Sequence, residues 1–233
     1  MKKVIDMRPR TRLLLIGVQG VFIIALLAAI LIVSSGNATW QRGWLLLAVY
    51  ATGFLVSSSL LVLNVPGLID ARRQRHANVK RWDRPLVLAY QVLYFPVFIV
   101  SGLDERYGWT HVPPGVSLVA LGLVAVFFAL ITWAPLVNAH LESYVRIQTD
   151  RDHRVCDSGP YAYVRHPAYA GLALFFAALP LSLGSLWGLL PGGIAITLLV
   201  IRTALEDRTL QRELPGYAAY AQRVRFRWVP GVW

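Results

Sequence analysis

The stretch LLLIGVQGVFIIALLAAILIV, residues 13–33, decides the fold of this chain, because it contains no charged side chain over its whole length. A helix that crosses a bilayer needs about 20 consecutive apolar residues. The stretch is longer than the apolar core of a secretory signal, and no convincing cleavage site follows it. It is preceded by the basic residues Lys2, Lys3, Arg8, Arg10 and Arg12. We therefore expect a retained membrane helix.

Five more apolar runs follow in a chain of 233 residues, of which 56% are hydrophobic. They are Trp44–Val65, Leu86–Leu103, Val116–Val137, Tyr169–Trp187 and Leu189–Leu205. The mean hydropathy of +0.53 is typical of a polytopic membrane protein. The last two runs are short and are interrupted by prolines and glycines, which favours a tight hairpin.

These runs predict an all-α fold, a polytopic integral membrane helical bundle with five to six transmembrane helices. We expect a single membrane domain over residues 1–233. Residues 1–137 would form a scaffold of four membrane helices, and residues 138–233 would form the cofactor-binding and catalytic part.

Charge asymmetry predicts the orientation of the bundle. Of the 23 Lys and Arg residues, all but Arg42 and Arg106 fall on one side of the predicted membrane. The positive-inside rule places that side, with both termini, in the cytoplasm. The basic residues are spread over short loops, and this spread disfavours nucleic-acid binding. The basic segment RRQRHANVKR (72–81) is suited to contact with anionic lipid headgroups. Size and composition favour a bacterial inner membrane.

The long polar segments also lie on one side. They cover residues 64–85, 138–168 and 206–233, and all three are cytoplasmic in this topology. Chemistry is concentrated in loops held by a rigid scaffold, so we expect a cytoplasm-facing cofactor site.

Metal and disulfide chemistry are disfavoured. Cys156 is the one cysteine, so no intramolecular disulfide can form. The five histidines are scattered and show no ligand spacing such as H-E-x-x-H. We expect no metal.

The most polar segment next to an apolar run is GPYAYVRHPAYAG, residues 159–171. Gly159 and Pro160 indicate a turn, and Pro167 suits the first turn of a helix. His166 would then lie at a helix N-terminus, which favours a carboxylate or another anion. The tyrosines of the segment offer flat faces with hydroxyl groups, suited to a planar ligand such as adenine.

A second polar group lies at the end of the last apolar run. Arg202 and Glu206 are four residues apart and share one helix face. Two interpretations stay open, a salt bridge worth a few tenths of a kcal/mol or a binding site. The tail PGYAAYAQRVRFRWVPGVW, residues 215–233, is either an interfacial helix or a segment that packs over the cofactor, or both.

In order along the chain, these segments resemble one family. The motif H-x-V-x-x-x-G-P-Y-x-x-V-R-H-P-x-Y-x-G is followed by two apolar helices, then R-x-x-x-E, then G-Y-x-x-Y. This order is similar to that of the isoprenylcysteine carboxyl methyltransferase family, integral membrane enzymes that use S-adenosylmethionine. The resemblance covers residues 146–230.

The resemblance implies a role for each matching residue. The cofactor-binding residues would be His153, Arg154, Val155, Cys156, Tyr161, His166, Pro167, Ala168, Tyr169 and Glu206. Arg202 would position the carboxylate of the acceptor, and Arg202 and Glu206 would be catalytic. The chemistry of the cofactor adds Arg165, whose guanidinium suits its carboxylate. Asp207 stands where many relatives have a second Glu, and its role is left open.

The expected activity is transfer of a methyl group from S-adenosylmethionine to a lipophilic acceptor. That acceptor would be an isoprenylcysteine-type carboxylate or another small or lipid molecule, with O-methylation favoured. Two other functions stay open, an NADPH-dependent membrane reductase of the sterol-reductase type and a non-catalytic membrane adaptor. No G-x-G-x-x-G motif follows a strand pattern, so a Rossmann methyltransferase is excluded.

Overall fold

A computed structural model describes residues 9–73 and 78–233, and within these ranges the chain is helical and contains no strand. The predicted contacts of anionic lipid with the centre of the basic segment 72–81 lie outside the described residues. The first lysines of the chain, on which the orientation partly rests, also lie outside them.

Eight helices make up the described chain. They are α1 (Pro9–Ser35), α2 (Gln41–Asn64), α3 (Pro66–Arg73), α4 (Asp83–Tyr107), α5 (Pro114–Val137), α6 (Pro167–Ser182), α7 (Leu189–Glu213) and α8 (Tyr217–Arg223). Five of them, α1, α2, α4, α5 and α7, are long and apolar enough to cross a membrane. The predicted fold class, a polytopic helical membrane bundle, is confirmed.

The last apolar run differs from the prediction. It was expected to be short, but α7 is a continuous helix of 25 residues. The reason is the position of Pro191, which lies in the first turn of α7, where its missing N–H removes no intrahelical hydrogen bond. The run before it does form a short helix, since α6 has 16 residues.

The membrane helices form a closed ring. Neighbours around it are α1, α2, α5, α6, α7 and α4, and α4 packs back against α1. The side chains of Phe98, Leu179 and Leu199 point to the centre and have no exposed area. Large apolar side chains also cover the outside, for example Val21, with 72% of its area exposed. Such a surface is stable in lipid, where apolar exposure has no cost.

The turn between α6 and α7 is fixed by Asp104, near the end of α4. Its carboxylate accepts hydrogen bonds from Ser185 Oγ at 2.5 Å and Thr110 Oγ1 at 2.6 Å. This contact holds the tip of the α6–α7 hairpin against the end of α4. The opposite end of the hairpin is therefore the one that is open to form a site.

Close approach of α6 and α7 requires a glycine at position 192. A Cβ atom there would lie 2.5 Å from the carbonyl oxygen of Phe176, whereas one at Gly193 would meet nothing within 4 Å. We expect Gly192→Val to lower the free energy of unfolding by about 2 kcal/mol, because backbone cannot move aside as a flexible side chain would. Thermal unfolding in detergent measures this effect. Gly193→Val is the matched control, and equal loss in both variants would contradict the prediction.

Candidate active site

A cleft opens where α5 ends, α6 begins and α7 leaves the apolar core. Its cavity volume is about 70 Å³, and the cleft is open to solvent at its mouth. Residues 138–156 form its roof, and α8 closes one side through Tyr217 and Tyr220.

Every site residue named from the sequence lines this cleft. They are His153, Arg154, Val155, Cys156, Tyr161, Arg165, His166, Pro167, Ala168, Tyr169, Arg202 and Glu206. Folding therefore brings together three segments that are separate in the chain. The individual roles of these residues stay predictions.

The start of α6 has the geometry that its sequence predicts. His166 is the residue before the first helical residue, Pro167, and its side chain is buried. The imidazole lies parallel to the ring of Tyr169, with 5.6 Å between the ring centroids and 3° between the planes. The two rings form a flat wall of the cleft.

Tyr169 links α6 to α7 inside the cleft. Its hydroxyl donates a hydrogen bond of 2.5 Å to Glu206, and the guanidinium of Arg202 lies 4.9 Å from the centre of its ring. A cation over an aromatic face is an attractive arrangement, more so away from water. Tyr169 therefore holds one carboxylate and one cation at fixed places on the same helix.

The salt bridge that the spacing of Arg202 and Glu206 permits does not form between these two described residues. Arg202 instead pairs with Asp83 of α4, with Nε at 2.7 Å from Oδ1. Asp83 is fully buried, and Arg202 is 2% exposed. Sequence reasoning missed Asp83, because it lies 119 residues before Arg202 and in a different helix.

Arg165 lines the cleft, but its donors are largely engaged. Its Nε and Nη2 donate to the two oxygens of Asp207 at 2.8 and 2.9 Å. Nη1 donates to the main-chain oxygens of Val224 and Arg225. The predicted contact of Arg165 with a cofactor carboxylate stays untested, while its observed contacts anchor the C-terminal tail. Burial alone would lower the pKa of Arg165, but its hydrogen bonds to Asp207 and the charge of that carboxylate raise it.

Asp207, whose role was left open, joins four parts of the site. It is fully buried and accepts hydrogen bonds from Tyr217 at 3.0 Å and Arg227 at 3.0 Å in addition to Arg165. His166 Nε2 lies 3.3 Å away. A buried carboxylate is stable only with such partners. Asp207 is thus the point at which α7, the start of α6 and the tail meet.

The tail packs over the cleft, one of the two arrangements left open from the sequence. The main-chain N–H groups of Arg165 and His166 donate to the oxygens of Phe226 and Arg227 at 2.9 Å each. Tyr220 donates to the oxygen of Tyr161 at 2.7 Å. The G-Y-x-x-Y motif, which sequence reasoning quoted without a role, therefore provides part of the wall. Contact of the tail with a membrane surface stays a prediction.

The roof carries a buried ion cluster around Arg146. Its guanidinium donates to both oxygens of Glu142 at 2.7 and 2.8 Å and to Asp150 at 2.6 Å. Hydrogen bonds to Glu142 raise the pKa of Arg146, although burial opposes this shift. These contacts fix the roof above the cleft.

Two histidines of the roof face each other in the cleft. The rings of His140 and His153 lie 4.8 Å apart, and the main-chain N–H of Gln148 donates to His153 Nδ1 at 3.4 Å. Burial, together with the nearby charges of His140 and Arg146, lowers the pKa of His153 from 6.5 to about 4. His153 is therefore a neutral, flat, hydrogen-bonding group at pH 7.

This shift predicts loss of stability in acid. The unfolded chain binds a proton at His153 more readily than the folded chain, so stability is complete above about pH 6.5 and falls as the pH drops toward 4. Below pH 4 no further loss from this group is expected. The measurement is thermal unfolding from pH 7.5 to 4.5. His153→Gln should flatten the slope, whereas His111→Gln in the exposed loop at the other end should not.

No metal centre is visible in the part of the chain that the structure describes, since no three His, Cys, Asp or Glu side chains converge there. Cys156 lines the cleft with Sγ 3.8 Å from the oxygen of Val137. Arg154 is exposed at the edge and pairs with Asp152.

The fold and the site together define a polytopic helical membrane protein with a polar cleft at one end of its bundle. Residues 119–212 match the isoprenylcysteine carboxyl methyltransferase (ICMT) family. The matched segment holds the roof, α6 and most of α7, and together with the five long apolar helices it supports a membrane methyltransferase in general. No curated protein matches the chain.

Proposed function

We propose that the protein transfers a methyl group from S-adenosylmethionine to a lipophilic acceptor, with a carboxylate oxygen as the favoured target. The observation that carries this proposal is the group Tyr169, Arg202 and Glu206, which places a cation and a carboxylate side by side in one cleft at the end of a membrane helix. The match of residues 119–212 to a methyltransferase family supports the same chemistry.

The residues of the cleft fit such a cofactor. Glu206 is half-buried and offers a carboxylate to an ammonium group. Tyr161 Oη is buried without a hydrogen-bond partner in the described chain, and a hydroxyl of this kind is costly unless a ligand satisfies it. The stacked rings of His166 and Tyr169 offer a flat face to adenine. We assign these four residues to the cofactor.

The bound cofactor supplies a methyl group on a positively charged sulfur, which an ionised acceptor attacks directly. The chain has to hold the acceptor in line and keep water out. Arg202 would orient a carboxylate through Nη1, which contacts Tyr90 Oη at 3.4 Å, since Nε and Nη2 donate to Asp83 and Ser143. A carboxylate acceptor is already ionised, so no side chain has to remove a proton from it.

The position of Arg202 supports a lipophilic acceptor. The residue lies in α7, a helix long and apolar enough to cross the membrane, and it also contacts Tyr90 of α4. An acceptor bound to Arg202 can therefore leave its hydrocarbon part in the bilayer. Whether the acceptor is a prenylated cysteine or another lipid is decided by the tests below.

The alternative cofactor, NADPH, would need an arginine for its 2′-phosphate. Four arginines line the cleft, Arg146, Arg154, Arg165 and Arg202, and each pairs with at least one carboxylate. The match to a methyltransferase family, rather than these arginines, favours S-adenosylmethionine over NADPH.

Binding to the purified protein in nanodiscs tests the proposal. We expect S-adenosylmethionine and S-adenosylhomocysteine to bind and NADPH not to bind, as measured by isothermal titration. Tight binding of NADPH alone would contradict the proposal. Methyl transfer is then measured with a farnesylated N-acetylcysteine and with phosphatidylethanolamine vesicles. Binding of the cofactor without transfer to either would favour an adaptor or a different acceptor.

A further inference from the structure

Asp83 lies in the N-terminal part of the chain, outside the segment that matches the family. It is the first residue of α4 and is fully buried. Its Oδ1 accepts from Arg202 Nε at 2.7 Å, and its Oδ2 accepts from Arg202 Nη2 at 3.3 Å. Such a two-point contact fixes both the place and the plane of a guanidinium.

Without this contact, Arg202 has another carboxylate within reach. Glu206 lies one turn further along α7, and an arginine and a glutamate four residues apart commonly pair. In the structure Glu206 instead accepts from Tyr169. Asp83 therefore takes up the donors of Arg202 that could pair with Glu206, and the Glu206 carboxylate stays available to a cationic ligand.

The same ion pair holds the roof of the cleft. Asp83 Oδ2 accepts from the main-chain N–H of Val145 at 2.7 Å, and Arg202 Nη2 donates to the main-chain oxygen of Ser143 at 2.9 Å. These two bonds flank Tyr144, whose side chain lines the cleft and is 42% exposed. The pair thus places an aromatic side chain at the mouth of the cleft.

We propose that Asp83 is a positioning residue of the active site, which holds Arg202 so that Glu206 stays available to the cofactor and Tyr144 stays at the mouth. This inference rests on the proposed function. It gives the scaffold helix α4 a direct part in the site, which family membership of residues 119–212 does not assign to it.

A double-mutant cycle tests the inference, with the dissociation constant of S-adenosylhomocysteine as the readout. We expect Asp83→Asn to weaken binding about tenfold, because Arg202 turns to Glu206 and competes with the ligand for its carboxylate. In the Arg202→Gln variant no guanidinium can turn toward Glu206. Asp83→Asn in that background should therefore change the dissociation constant by less than about twofold.

A merely structural role would weaken binding equally in both backgrounds, and that result would overturn the inference. Unchanged binding in Asp83→Asn would also overturn it. If the wild-type protein binds no S-adenosylhomocysteine, the proposed function itself fails, so the two failures are distinct.

Two further variants distinguish an effect on the site from an effect of misfolding. Asp83→Glu keeps the charge but moves the guanidinium, and we expect it to fold with a melting temperature only a few degrees lower while weakening binding about threefold. Asp70→Asn removes the carboxylate of the Asp70–Arg12 pair, which lies outside the cleft, and should leave binding unchanged. Wild-type binding by Asp83→Glu would contradict the proposal.

Discussion

Asp207→Asn is expected to lower the free energy of unfolding by about 3–5 kcal/mol, the largest loss that we foresee for a single substitution. The change keeps the shape of the side chain but removes a fully buried negative charge. It leaves Arg165 and Arg227 without the carboxylate to which both donate. The tail should then detach from the start of α6.

Two measurements follow from this loss. The melting temperature in detergent should fall by about 10 °C, given the usual relation for a chain of this size. Trypsin should cut the detached tail at Arg223 and Arg225 at a protease concentration that leaves the wild-type protein intact. Asp152→Asn is the control, since its partner Arg154 is exposed and such pairs contribute little. A wild-type melting temperature in Asp207→Asn would show that the buried cluster does not hold the tail.

Glu206→Gln is expected to raise the dissociation constant of S-adenosylhomocysteine about thirty- to a hundredfold, which corresponds to one lost charge-assisted contact. The amide keeps the size of the side chain but cannot neutralise an ammonium group. Glu206 is half-buried at the edge of the cleft, so the melting temperature without ligand should stay within about 1 °C.

Glu213→Gln is the matched control for this experiment. Glu213 lies at the end of the same helix and pairs with Lys80 in an exposed salt bridge. It should bind S-adenosylhomocysteine as the wild-type protein does. A fall in melting temperature of Glu206→Gln in the absence of ligand, with unchanged affinity, would assign a structural role to Glu206 instead.

The membrane fold was predictable because its signal is local. A spanning helix must satisfy its backbone hydrogen bonds within itself and present apolar side chains to lipid. An apolar run such as residues 13–33 is therefore enough to identify a membrane helix. The prolines and glycines that interrupt the apolar runs were harder to interpret. Pro191 was expected to shorten the last run, but the position of a proline within a helix matters more than its presence, and Pro191 falls in the first turn of α7.

The candidate cleft was predictable for a similar reason. The segment 159–171 combines a turn, a proline at the first helical residue and a high density of aromatic and cationic groups, and these features are legible within thirteen positions. The spacing of Arg202 and Glu206 identified the second wall. All of these residues line the one cleft, while their separate roles await the binding experiments.

Only the tertiary structure decided which charged side chains pair with each other. The four-residue spacing permits Arg202 to pair with Glu206, yet Arg202 pairs with Asp83, which lies 119 residues away. Arg165 likewise reaches Asp207, 42 residues away. A buried charge takes the partner that best replaces its lost hydration, and that choice depends on which helices meet in the ring.

The sequence by itself therefore determined a helical membrane bundle and the segments that form the cleft. The tertiary structure decided which carboxylate holds each arginine, how the tail covers the cleft and which carboxylate stays available to a ligand. The physical reason is the distance along the chain over which each kind of interaction acts. Hydrophobic length and turn chemistry act within about twenty residues, whereas the pairing of buried charges depends on contacts between helices far apart in the chain.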